Sequence, residues 1–313
     1  MADMEEWEKK HILGIKDFNR QELETVLSLA DSFKEVSERE VKKVPALRGK
    51  TIVNLFFENS TRTRTSFELA AKRLSADVVN FSSSVSSLGK GETVIDIIKN
   101  LEAYHPNIMV IRIGEGACLN SFTKHTRASL INAGDGRNEH PTQALLDMFT
   151  VKEAKGTLEN LNILIVGDIA HSRVARSNIF GFQKFSSKVT VCGPTTLIPY
   201  EFEKLGVKVS NDLDKEIPSA DIIMMLRIQK ERQGVVFVST LREYIDRFGL
   251  TPQRLKKAKK DCLVMHPGPV NWDTEISSSL KERVHPLILK QTENGLAIRM
   301  AVLYLVGTKK RQI

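Results

Sequence analysis

Cysteine is scarce in this chain: Cys118, Cys192 and Cys262 are the three in 313 residues, widely separated and without a C-x-x-C pair. That spacing excludes a disulfide framework and a cysteine-built zinc site, and leaves the three thiols as packing residues. Aromatic residues amount to only 6% and form no cluster of the kind that stacks on bases, so the formal charge of +8 lacks the other half of a nucleic-acid footprint. Acidic and basic residues are also interleaved, as in KEVSEREVKK, rather than gathered into a stripe. No apolar run approaches the roughly 20 residues needed to span a bilayer. The opening MADMEEWEKKHILG is charged and has no apolar stretch ahead of a small-residue cleavage site. The expectation is a cytoplasmic protein without a signal or transit peptide. His11, His105, His125, His171, His266 and His285 show no ligand spacing, and no metal is assigned to them.

A chain of 313 residues can bury two hydrophobic cores, since single domains usually run to about 100–200 residues. Residues 19–40 carry Leu23, Val26, Leu27, Ala30, Phe33 and Val36 at helical spacing, with Asn19 placed to cap the helix. TIVNLFF, DVVNF and NIMVIRI read as strands with helical segments between them, and the second half repeats the alternation with LNILIVGD, KVTVCGP, DIIMML and CLVM. HPTQALLDMFTVKEAKG predicts a long helix starting at His140 or Pro141, and PLILKQTENGLAIRMAVLYLVGT a final one. The expected fold is α/β, with two doubly wound parallel-sheet domains joined by helices and an active site in the interdomain cleft. The first domain is expected over 1–139, completed by a C-terminal helix at 290–313, and the second over 140–289.

Ser60, Thr61, Arg62, Thr63 and Arg64 follow a predicted strand and open a predicted helix. Unpaired N–H groups and the positive dipole end favour an anion at such a place, and Arg supplies a planar fork that fits phosphate oxygens. The plainer alternative is that Ser and Thr cap the helix while the arginines face solvent. Other residues of matching chemistry fall at predicted strand ends, where open α/β sheets bind ligands. They are Arg112 after NIMVI, His140 and Gln143 after a turn, Arg173 in GDIAHSR, Arg227 and Gln229 after IIMML, and His266, Pro267, Gly268 and Pro269 after CLVM. Cationic and amide groups without a nucleophile–base order suggest charge stabilisation rather than covalent catalysis.

S-T-R-T-R, then H-P-T-Q, then R-x-Q-K-E-R and H-P-G-P, in this order over nearly the whole chain, resemble the aspartate/ornithine carbamoyltransferase family. The last two are similar to its aspartate-specific branch, whereas the S-M-G and H-C-L-P strings of the ornithine branch are absent. The resemblance implies transfer of a carbamoyl group from carbamoyl phosphate to L-aspartate, with no cofactor and no metal. It implies that Ser60, Thr61, Arg62 and Thr63 hold the phosphate together with Arg112, and that Thr63, Arg112 and His140 polarise the carbonyl oxygen. Gln143 and the backbone of Pro267 and Gly268 would take the carbamoyl NH₂. Arg173 would grip one aspartate carboxylate, and Arg227 with Gln229 the other. A loop from a neighbouring subunit would supply Ser87 and Lys90 to the aspartate side of the site, which implies a homo-oligomer, by resemblance a trimer. Glu58 matches a residue that steadies Arg173 and Arg232 across the cleft. Whether a regulatory subunit or a dihydroorotase joins the assembly is not written in the sequence, while nucleic acid and membrane are not expected.

Two positions depart from the family pattern. Ile113 follows Arg112 where some relatives carry His, and Trp272 stands in H-P-G-P-V-N-W where many carry Arg, which removes a cation near the expected cleft. Three other readings compete with this one. A nicotinamide-dependent dehydrogenase fails because GDIAHSR lacks G-x-G-x-x-G and no acidic residue ends KVTVCG. A nucleic-acid-binding protein is motivated by the basic charge and by RLKKAKK at 254–260, a run that also fits an exposed helix face. A carbamoyltransferase for another amino acid such as ornithine keeps the same fold and changes only the acceptor.

Overall fold

The computed structural model describes residues 7–82, 91–114, 116, 118–228 and 240–308. The chain divides into one unit of Met1–Leu146 with Glu293–Ile313 and a second unit of Asp147–Thr292.

In the first unit, helix α1 (Arg20–Glu38) starts at a capping box. The Asn19 side chain accepts from the Glu22 N–H at 2.8 Å, and the Glu22 carboxylate accepts from the Asn19 N–H at 2.8 Å. The six apolar positions read from the sequence are the ones it buries. The order then runs β1 (Thr51–Phe56), α2 (Thr61–Arg73), β2 (Asp77–Ser82), α3 (Val94–Glu102), β3 (Ile108–Ile113), α4 (Leu119–Phe122), β4 (Ser129–Asp135) and α5 (Pro141–Lys155), the last running past the division. The four strands are parallel in the order β2-β1-β3-β4. On one side Val53, Leu55, Met109 and Ile111 pack with Ile97 and Ile98 of α3 and with Phe122. Strand β4 was not expected from the sequence, because Asn132, Gly134 and Asp135 are poor strand formers. It forms because it is buried throughout and because residue Ile12 flanks it, the Ile12 N–H donating to the Leu130 carbonyl at 2.8 Å and the Asn132 N–H to that of Ile12 at 2.8 Å.

The second unit runs β5 (Asn162–Val166), α6 (Arg173–Gln183), β6 (Lys188–Cys192), β7 (Lys208–Ser210), α7 (Leu213–Glu216), β8 (Ile222–Met225), α8 (Leu241–Phe248), α9 (Pro252–Leu255), β9 (Leu263–Met265) and α10 (Lys281–Thr308). Its strands are parallel in the order β7-β6-β5-β8-β9. Leu164, Val166, Ile223, Met225 and Val264 form a core with Leu213, Ile217, Tyr244, Phe248 and Val284. The basic run at 254–260 spreads over α9 and the turn after it instead of presenting one helix face. Arg254 and Lys257 pair with Asp214 at 3.0 and 2.8 Å, and Lys259 pairs with Asp221 at 2.6 Å.

Helix α10 begins at Lys281, ahead of the expected start, with Pro286 inside it. A proline this early forfeits one backbone bond in a 28-residue helix and leaves the rest intact. From Glu293 onward α10 belongs to the first unit, where Tyr304 meets Phe33 with ring centroids 5.6 Å apart. Among the described residues no helix is long and apolar enough to cross a membrane.

Candidate active site

Each sheet has a switch point where the strand order reverses, and the residues singled out in the sequence gather at its strand ends. In the first unit the reversal lies between β1 and β3, with Phe56 paired in register to Arg112 and the Phe57 N–H bonded to the Arg112 carbonyl at 2.9 Å. Ser60 is the N-cap residue of α2, yet its side chain makes no capping bond. The simple capping alternative therefore does not describe it. Thr61 and Arg62 are exposed in the first turn, and Thr63 is buried. Arg112 donates to the Ala133 carbonyl at 3.2 Å and to Glu58 at 3.1 Å, which fixes a guanidinium at the end of β3. Within its own unit, then, Glu58 steadies Arg112; Arg232, one of the partners expected for it, lies outside the described residues.

His140 and Gln143 are buried at the start of α5, where the His140 carbonyl accepts the Gln143 N–H at 3.0 Å and the Ala144 N–H at 3.3 Å. The residue just before them was missed in the sequence. Glu139 is buried and its carboxylate accepts the Ile15 N–H at 2.6 Å, while its carbonyl accepts from Asn132 Nδ2 at 3.3 Å. Gly14 makes this possible, since any side chain there would collide with that carboxylate. The chain near residue 15 thus fixes the approach to His140.

In the second unit the reversal lies between β5 and β8. After β5, Asp168 is fully buried and accepts the His171 N–H at 3.2 Å, with His171 Nδ1 2.7 Å from the same oxygen. This ties down the turn that leads to Ser172, whose hydroxyl caps α6 by accepting the Ala175 N–H at 3.1 Å, and so sets Arg173 at the first helical position. Arg173 itself is 4% exposed. Arg227 follows β8, anchored through its neighbour: the Ile228 N–H donates to Glu275 at 3.2 Å. After β9, His266 Nδ1 accepts the Gly268 N–H at 2.8 Å, and Gly268 takes φ 66°, the left-handed region that suits glycine. Burial pushes the Glu275 carboxyl upward, opposed by its bonds from Asn271 and Ile228 and by the charge of Arg227.

The first unit brings Ser60, Thr61, Arg62, Thr63 and Arg112 to adjacent strand and helix ends, with His140 and Gln143 at the end reached through β4. The second brings Arg173, Arg227, Pro267 and Gly268 to the ends of three neighbouring strands. Ser87, Lys90 and Gln229 lie outside the described residues. Ile113 is a buried core residue of β3. Trp272 packs partly buried on the second core, its ring 6.1 Å from that of His285, with Lys281 Nζ 5.9 Å from its centroid. Burial raises the Cys192 thiol to about 12 and that of Cys262 to about 11, which leaves both inert at neutral pH.

The family model described as aspartate/ornithine carbamoyltransferase, carbamoyl-P binding domain, matches residues 10–153, and the one described as the Asp/Orn binding domain matches 159–306. A protein of Syntrophus aciditrophicus (strain SB) named aspartate carbamoyltransferase catalytic subunit is 56% identical over 300 residues, covering 96% of this chain and 98% of that protein. One of the same name from Geobacter sulfurreducens is 51% identical over 299 residues, covering 95% and 96%. Among solved structures, aspartate transcarbamoylase from Trypanosoma cruzi in complex with carbamoyl phosphate and aspartate superposes with a TM-score of 0.85 at 30% identity, covering 96% of this chain and 97% of that one. The same enzyme in complex with N-(phosphonacetyl)-L-aspartic acid gives 0.86 at 29% identity, covering 96% of each.

Proposed function

The chain belongs to the aspartate/ornithine carbamoyltransferase family, a family of transferases, and from that premise we propose that it carbamoylates L-aspartate with carbamoyl phosphate, giving N-carbamoyl-L-aspartate and phosphate in pyrimidine biosynthesis. The observation that carries the reading is the duplication of one arrangement. Two separate parallel sheets each present guanidinium groups at the strand ends flanking their own switch point, Arg112 in one and Arg173 with Arg227 in the other. One set suits a phosphate and the other a dicarboxylate.

Ser60, Thr61, Arg62 and Thr63 hold the phosphate with Arg112, at a helix end whose N–H groups point toward an anion. Thr63, Arg112 and His140 donate to the carbonyl oxygen, and the aspartate amine adds to the polarised carbon. The tetrahedral oxyanion that forms is stabilised by the same donors, and loss of one such donor costs on the order of 10²–10³ in turnover. Phosphate departs as the C–O bond breaks, and the amine proton passes to it or to solvent. Gln143, Pro267 and Gly268 receive the carbamoyl NH₂. Arg173 holds one aspartate carboxylate, and Arg227 with Gln229 holds the other. The aspartate side is completed by Ser87 and Lys90 of a neighbouring subunit. The same reading assigns carbamoyl phosphate binding to 1–139 with 290–313 and aspartate binding to 140–289, and makes the protein a cytoplasmic homotrimer open to a regulatory subunit or a dihydroorotase.

Arginines suit an acidic acceptor and repel the side-chain cation of ornithine. The test is to supply carbamoyl phosphate with aspartate, ornithine and other amines in parallel, and to measure phosphate release and carbamoylated product. Aspartate is expected to be the acceptor by a wide margin; preference for ornithine would overturn the substrate while leaving the fold in place.

A further inference from the structure

The second unit holds a line of buried polar groups for which the reaction scheme has no use. Asp147 on α5 and Asn178 on α6 are fully buried, Gln291 on α10 is 2% exposed, and His266 after β9 is 1% exposed. They are joined end to end. Asn178 Nδ2 donates to Asp147 at 2.9 Å, and Gln291 Nε2 donates to its other oxygen at 2.7 Å. Gln291 Oε1 accepts the His266 backbone N–H at 3.0 Å, and His266 Nδ1 accepts the Gly268 N–H at 2.8 Å. Beyond the histidine, Nε2 lies 3.9 Å from Glu275, whose carboxylate also accepts the Asn271 N–H at 2.7 Å and the Ile228 N–H at 3.2 Å.

Each oxygen of Asp147 receives one amide NH₂, and that sets the orientation of both amides. An ionised carboxylate only accepts, so both amide NH₂ groups must face Asp147. With its NH₂ committed, Gln291 has only its oxygen to offer His266, and a buried backbone N–H left without an acceptor is strongly disfavoured. The Nδ1 of a neutral imidazole accepts only when the proton sits on Nε2, the nitrogen that faces Glu275. Asp147 thus holds Gln291 with its oxygen toward the His266 N–H, while the Gly268 N–H, a donor in any case, closes the turn on His266 Nδ1.

We propose that Asp147 is a positioning residue for carbamoyl transfer, its charge fixing the orientation of Gln291 and through it the backbone of the turn at 266–269. The proposal rests on the functional reading above, which gives Pro267 and Gly268 to the carbamoyl NH₂. Asp147 touches no substrate in that scheme; it acts through the glutamine.

Asp147→Asn changes almost no volume but turns one acceptor into a donor. If the glutamine turns to meet it, an NH₂ is set against the His266 N–H. In D147N, kcat/KM for carbamoyl phosphate is expected to fall tenfold or more, while the Kd of inorganic phosphate, assigned to residues of the first unit alone, stays within twofold. Amide exchange in the peptide covering 262–270 is expected to quicken tenfold. The double variant D147N/Q291E moves the charge by one residue and restores donor-to-acceptor order along the whole line, so turnover and exchange should return to within threefold of wild type. Should D147N alone fail to fold, the double variant still decides the matter. Equal loss of phosphate and carbamoyl phosphate binding, unchanged kinetics in D147N, or a double variant no better than D147N would each overturn the proposal. The exchange measurement needs no substrate, and turnover of the wild type with aspartate tests the functional reading separately.

Discussion

Arg227 lies two residues past the end of β8, and the backbone beside it is tied down by the Ile228 N–H bonded to the buried Glu275. The proposed function has its guanidinium meet an aspartate carboxylate. A charge-assisted contact of this kind contributes about 1.5–3 kcal/mol, which is roughly 10- to 100-fold in affinity. Arg227→Ala is therefore expected to raise the KM for aspartate by at least tenfold while that for carbamoyl phosphate stays within twofold, as steady-state kinetics with each substrate varied would show. Equal damage to both would mean that the division of labour between the units is wrong. The motif residues were legible because each carries its chemistry in its type: guanidinium for anions, hydroxyl and amide for orientation. The residues that hold them were not. Glu139, Glu275 and Gln291 look like ordinary polar residues in sequence, and only the fold shows them buried against backbone N–H groups and amides. Asp147 did leave a trace, as a single carboxylate in the apolar run ALLDMF, a pattern that signals a buried and partnered charge.

At the scale of elements, legibility tracked hydrophobic period. Helix α1 was readable to within two residues because six apolar positions recur on one face and a capping residue precedes them. Its cap can be tested in isolation from the site. Asn19→Ala removes the acceptor for the Glu22 N–H, and loss of such a cap costs about 1 kcal/mol. For a unit of this size the expected fall in Tm is about 2–4 °C with turnover unchanged. A loss of activity at assay temperature would instead tie the start of α1 to the site. Strands β4 and β7 escaped notice for different reasons. Three residues suffice for β7, too few to show alternation. In β4, Asn132 serves as a hydrogen-bond hub, its side chain donating to the Leu13 carbonyl at 2.7 Å and accepting the Gly134 N–H at 2.7 Å. Polarity that reads as a loop in sequence is here the means of holding a buried strand. Trp272 follows the same logic: in place of a cation it brings an aromatic face that packs near His285 and Lys281 at the start of α10.

At the scale of the whole molecule the open question is whether one chain makes one site. Ser87 and Lys90 lie outside the described residues, and the proposal that they serve a neighbour rests on family membership. Complementation separates this from a site built within one chain. Consider Lys90→Ala and Arg62→Ala variants, each with activity reduced to a few per cent. If every site takes Arg62 from one subunit and Lys90 from the next around a ring of three, each mixed trimer regains one intact site, whichever variant is in the majority. Random reassembly of an equal mixture then gives about a quarter of the wild-type site count, because heterologous contacts in a closed ring join both kinds of subunit. Phosphate release should rise to that level after the two proteins are dissociated and reassociated together, and not when they are merely mixed. If both residues act within the same chain, every subunit in the hybrid still carries one lesion in its own site, and activity stays at the level of the parents.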